Sequence, residues 1–185
     1  MKKYITIGVI IFLLVLGSVS YVFCNNKPDK IEWNDELLSY KDMNYADYLN
    51  SGGMNAEFYH GGRFAATIPK SDVEIIFVGD YDEETGEYVL SDSATAIRLQ
   101  GAIEKFCVGV TRSLSVEQFL DELASQYTIK YSIQEGGGTA YYPADNYIAV
   151  KCDCDGDLVM DIELDISLDQ SDKIEPDTFC WLMWI

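Results

Sequence analysis

A chain of 185 residues with 31 acidic and 13 basic side chains carries a net charge of −18, a field that repels nucleic acid and anionic lipid and attracts cations or basic proteins. Net charge alone describes colloidal behaviour and solubility, so it speaks against nucleic acid without naming a partner or a site. Setting an N-terminal segment aside leaves roughly 155 residues, enough for one domain with a substantial core.

The chain opens MKKY and then runs ITIGVIIFLLVLGSVSYVF without a charge until Lys27. Residues 4–24 number 21, close to the roughly 20 that cross hydrocarbon as a helix. Lys2 and Lys3 on the short side put the N-terminus in the cytoplasm and the remainder outside. Residues 5–16 also fit a signal-peptide core, with Ser18-Val19-Ser20 as a small-x-small cleavage site. Cys24 would serve as a lipoprotein acceptor, although Tyr21, Val22 and Phe23 are too large for that signal. A full-length span is the simplest reading, and all three readings export the rest. The expected location is therefore the cell membrane, single-pass, with the C-terminal domain extracytoplasmic. Residues 1–24 hold two lysines and no acid, so the exported part carries 11 basic against 31 acidic side chains, or −20.

Residues 25–30 (NNKPDK) read as a linker, and 31–185 as the domain. Two short helices are expected at 34–40 and 44–49, the second opening on a capping asparagine and closing at Gly52-Gly53. FYHGGRFAATIP is a glycine-punctuated entry into a strand ended by Pro69. VEIIFVG (73–79) is β-branched and aromatic, as a largely buried strand would be. DYDEETGEY forms a loop or hairpin tip, and 88–90 and 95–100 are shorter strands. SVEQFLDELASQ is the one strongly marked helix. Ser115 and Gln118 form a capping-box pair, Leu114 and Phe119 occupy staple positions, and Val116, Phe119, Leu120 and Leu123 make one apolar stripe. Ile129, Tyr131 and Ile133 alternate with polar neighbours in the strand at 128–134. Gly136-Gly137-Gly138 ends it, AYYPAD gives an edge piece, and TFCWLMWI is a final buried strand. The fold class expected is α+β: an antiparallel sheet with one or two helices on a face, preceded by the transmembrane helix.

YIAVKCDCDGDLVMDIELDISL (147–168) looks most like chemistry. Ile148, Val150, Cys152 and Cys154 form one apolar phase. Leu158, Met160, Ile162, Leu164, Ile166 and Leu168 form the other, with an acidic, solvated outer face. A three-residue loop Cys154-Asp155-Gly156 pairs Cys152 with Leu158, Val150 with Met160 and Ile148 with Ile162, which keeps one apolar face. As a calcium loop the stretch fails, because Gly156 comes after two acids and Leu164 occupies the position that needs glutamate. Zinc would need a second ligand pair, and Cys107 and Cys180 arrive singly. Asp161, Glu163 and Asp165 could bind a cation on the outer face, but alternating carboxylates mainly keep a strand face wet. No metal and no cofactor is expected.

Four cysteines lie beyond the leader: Cys107, Cys152, Cys154 and Cys180. Export permits disulfides. Cys152 and Cys154 share a strand face, about 6–7 Å apart, and cannot bridge each other. Each would have to reach Cys107 or Cys180; buried free thiols are the equal alternative. His60, the one histidine, lies in YHGGR, but no G-x-S-x-G elbow supplies a nucleophile. GGGT lacks the lysine of a phosphate loop. Tyrosines number 13, and Tyr131, Tyr141 and Tyr142 near the last sheet are the candidate ligand contacts.

The helix followed by antiparallel strands, carried by IRLQGAIEKF, SLSVEQFLDEL, the aromatic YY and CDGDLVMDIEL, resembles the unit of β-lactamase-inhibitor-like and outer-membrane-assembly-lipoprotein domains. The resemblance covers residues 97–168, and Thr111-Arg112 stand where that family has Gly-Met. It implies an exported, non-catalytic, protein-binding scaffold and assigns no residue. The expected function is binding of an envelope protein or cell-wall component; the alternative is a wall-polymer hydrolase using a carboxylate pair.

Overall fold

The computed structural model describes residues 30–135, 146–168 and 172–185. The expected membrane segment (1–24), most of the linker, and Tyr141 and Tyr142 lie outside the described residues. Among the described residues no helix is long and apolar enough to cross a membrane.

Strand β1 (Glu32–Trp33) leads to helix α1 (Asp35–Leu38), where the Asn34 side chain accepts the Glu36 amide. Helix α2 (Tyr45–Asn50) is capped in the same way, with Asn44 accepting from the Asp47 amide at 2.8 Å. An asparagine before each helix takes an amide that would otherwise have no intrahelical acceptor. Strands β2 (Glu57–His60) and β3 (Arg63–Thr67) form a hairpin through Gly61 and Gly62, both left-handed. Strand β4 (Glu74–Val78) follows, then the small hairpin β5 (Asp80–Asp82) and β6 (Glu87–Val89), and the long β7 (Ala96–Ala102). Helix α3 (Ile103–Phe106), β8 (Cys107–Val108) and β9 (Leu114–Ser115) lead into α4 (Val116–Ala124). The capping box on α4 is complete in both directions. Strands β10 (Thr128–Glu135), β11 (Asn146–Asp153), β12 (Ile162–Ser167), β13 (Lys173–Ile174) and β14 (Phe179–Trp184) close the chain.

Eight strands make one antiparallel sheet in the order β10-β11-β12-β14-β7-β4-β3-β2, so the protein is α+β with few, short helices. The C-terminal strand β14 sits between β12 and β7 and joins the two halves of the sheet. That central place explains why TFCWLMWI is so apolar: Cys180, Trp181 and Leu182 are all buried. One row crosses the sheet through Ala66, Ile75, Leu99, Leu182, Leu164 and Val150, each opposite the next. All six are buried, and they share one core cluster with Leu37, Tyr48, Phe106, Phe119 and Leu123 from the helices. Each large aliphatic there contributes roughly 1.5–3 kcal/mol by leaving water.

The opposite face of the sheet differs from expectation. Alternation predicts a solvated acidic surface on β12, yet Asp165 and Ser167 are buried, as are Trp181 and Gln100 beside them. Gln100 donates to Glu74 at 2.6 Å and accepts from Arg98 at 3.1 Å, so its amide is satisfied within the sheet. Glu163 pairs with Lys151 at 3.5 Å.

Candidate functional site

The core row does not stop at Val150. Its next member is Tyr131 on β10, opposite Val150 in the ladder, and Tyr131 is 57 % exposed. The adjacent row runs Cys180, Ile166 and Ile148, all fully buried, and ends on Ile133 at 61 % exposure. These side chains point to the helix-covered side of the sheet, but β10 is its outermost strand and the cover stops short. Helix α4 stands beside them. It is fixed by Phe119 and Leu123, both fully buried, while Val116, Leu120 and Ala124 recur every four residues along the side that meets β10. Together with Ile129, Tyr131 and Ile133 they line a groove of about 580 Å³ whose rim carries Glu117 and Asp121. Beyond it lies the far edge of β10, unpaired among the described residues; on its other side β10 pairs with β11 over eight consecutive residues without a bulge. An unbulged edge strand with an apolar flank is a template for another chain.

Family models, curated proteins and solved structures contain no match to this chain.

Of the three tyrosines proposed from sequence, the structure places Tyr131 in this groove; Tyr141 and Tyr142 are outside the described residues. Ile129, Ile133, Val116, Leu120 and Ala124 were not singled out as site residues. Their spacing is that of ordinary core positions, and only the strand order reveals that β10 has no outer neighbour among the described residues.

The aspartate-rich loop corrects a second expectation. Cys152 pairs with Ile162 instead of Leu158, Val150 with Leu164 instead of Met160, and Ile148 with Ile166 instead of Ile162. The register moves by four residues, so the apolar faces still coincide. The cause is a set of side-chain acceptors that capture the loop amides. Asp153 accepts from Gly156 N at 2.7 Å and Leu158 N at 2.7 Å, Asp157 from Val159 N at 2.7 Å, and Asp161 from Cys154 N at 3.2 Å. Aspartate turns of this kind compete with the ladder, and here they delay β12 until Ile162. Leu158 is left in the left-handed region at φ 68° and outside the core.

This fold of the loop brings one oxygen each of Asp153, Asp155 and Asp161 within 4.8 Å of one another. Three carboxylates fall well short of the six to eight oxygens that calcium takes, and all three already accept amides of the loop. The loop lines neither the α4–β10 groove nor the two clefts beside β2.

Cys107, Cys152, Cys154 and Cys180 are free thiols, the first two and the last fully buried. Burial first, then the carboxylates of Asp161 and Asp153, pushes Cys152 up to about 12. Cys154 is raised by the same causes and donates its thiol hydrogen to Asp161. Thiols held protonated in this way are poor nucleophiles and poor metal ligands. His60 ends β2 with its ring stacked on Tyr59 at 4.7 Å.

Proposed function

We propose that this is a membrane-anchored, extracytoplasmic, non-catalytic binding protein of the cell envelope, and that the groove between α4 and β10 is its recognition surface. One observation carries the reading: the apolar row that is buried on six strands emerges on the seventh, where Tyr131 is 57 % exposed beside a sheet edge that is unpaired among the described residues. A partner strand laid along β10 would complete both the ladder and the core face, as in recognition by strand addition. The charge-free run from Tyr4 to Cys24, behind Lys2 and Lys3, supports the location. The hydrolase alternative needs two acids facing one another across a cleft. The convergent aspartates sit instead in a loop whose own amides they hold.

Affinity capture from envelope extracts with the full-length chain tests this, against a charge-matched control protein. The Tyr131→Ala/Ile133→Asp variant is expected to lose the captured partner by about 30-fold, the loss of one aromatic anchor at an interface. Both side chains are exposed, so the variant's melting temperature should stay close to that of the parent. Undiminished capture by the variant would remove the groove from the proposal.

A further inference from the structure

At the other end of the sheet, β2 and the β5–β6 hairpin bring three rings together in water. Phe58, Tyr81 and Tyr88 are 58 %, 57 % and 42 % exposed. Phe58 and Tyr88 lie nearly parallel, with centroids 6.4 Å and planes 26° apart, and Tyr81 meets Tyr88 edge-on at 5.2 Å. The arrangement depends on Gly62 in the β2–β3 turn. Its φ is +78°, and a β-carbon there would lie 2.6 Å from the Tyr88 ring, so any other residue would drive the ring away. Beside the rings a cleft of about 390 Å³ is lined by Phe58, Gly86, Glu87 and Tyr88. Phe58 also walls a second cleft, which Glu57 and Glu74 share.

Two properties of this cleft select the same ligand. Aromatic faces carry negative quadrupole potential and attract a cation placed over them. The hairpin DYDEETGEY adds five carboxylates, at Asp80, Asp82, Glu83, Glu84 and Glu87, with no basic side chain among its nine residues. Asp82 holds its own turn, accepting from Glu84 N and Thr85 Oγ1 at 2.9 Å each, while Glu87 lines the cleft. A neutral sugar would gain from stacking alone. A guanidinium gains from stacking, from the ring quadrupole and from the carboxylate, and it gives up little hydration to do so. We infer that the cleft formed by Phe58, Tyr88 and Glu87 binds an arginine side chain on a basic segment of a partner protein. This site is separate from the α4–β10 groove and does not depend on it.

The test uses the full-length chain in nonionic detergent with 13C-labelled phenylalanine and tyrosine rings. The probes are N-acetyl-arginine-N-methylamide, its neutral isostere N-acetyl-citrulline-N-methylamide, N-acetylglucosamine, and sodium chloride at matched ionic strength. The arginine probe is expected to shift the Phe58 and Tyr88 ring signals saturably, and the citrulline probe and salt to leave them in place. Glu87→Gln and Phe58→Leu should each weaken the arginine probe by about fivefold. Glu87 is at the surface, so Glu87→Gln decides the matter if Phe58→Leu disturbs the hairpin. No saturable shift, equal shifts with arginine and citrulline, or a response to the sugar alone would each overturn the assignment.

Discussion

Asp153→Ala is expected to lower the stability of the domain by about 3 kcal/mol, the scale for removing hydrogen bonds to a buried charged acceptor. Asp153 is 2 % exposed, and its two carboxylate oxygens take separate amides, from Gly156 and from Leu158. Deleting it leaves both amides to find water in a loop that the carboxylate had closed, and it loosens the end of β11. Asp155→Ala should cost much less, because Asp155 is exposed and accepts a single amide among the described residues, that of Asp157 at 3.2 Å. The contrast between the two variants in urea midpoint is the measurement. Equal, small effects would mean that these side chains do not set the loop. Millimolar calcium should leave the parent midpoint where it was, since the aspartates of a self-closed loop gain little from an ion.

A second large effect is expected in alkali. An unfolded thiol ionises near its ordinary value of about 9, whereas the folded protein holds Cys152 up to about 12 by burial and by the neighbouring Asp161 and Asp153. Burial also raises Cys107 and Cys180 well above the ordinary range. Above the ordinary value the unfolded chain releases protons that the folded one retains, so stability falls as pH rises. The contribution is fully present below about pH 9 and drains away between there and about 12. For Cys152 it amounts to roughly 4 kcal/mol at the top of that window. Urea midpoints taken from pH 8 upward should decline, and Cys152→Ala should flatten the decline while lowering the starting value. In the native protein at pH 8 a thiol reagent should react with these four cysteines only slowly, and rapidly once urea unfolds the chain. A pH-independent midpoint would contradict the assignment of buried, protonated thiols.

Much of the local structure could be read directly from residue chemistry. Ser115 with Gln118 announces the start of α4, Asn44 announces α2, and the apolar TFCWLMWI announces a buried strand. These signals are local, acting over three or four residues, and nothing distant overrides them. The CDCDGD stretch shows where locality ends. Alternation gave the core-facing phase of Ile162, Leu164 and Ile166, since a shift of four leaves that phase unchanged, but it could not count the loop and placed the exposed Leu158 in a strand that starts only at Ile162. Counting required knowing that Asp153, Asp157 and Asp161 would take amides that a tight turn would have given to the ladder. The groove lay further out of reach. Ile129, Tyr131 and Ile133 carry the same pattern as Ile148, Val150 and Cys152, and only the insertion of β14 between β12 and β7 decides which strand ends the sheet. The aromatic cleft was half visible: DYDEETGEY reads as a hairpin tip, but its docking over Gly62 is a tertiary fact.

Photo-crosslinking in cells that produce the full-length chain addresses the groove most directly. A benzophenone side chain placed at position 131 faces the groove, and one placed at Lys130 sits on the same strand and faces the other side of the sheet. A discrete adduct from 131, absent or much weaker from 130, is the predicted result. Adducts of equal yield from both positions, or none from 131, would contradict the claim that the exposed end of the core row is where a partner binds.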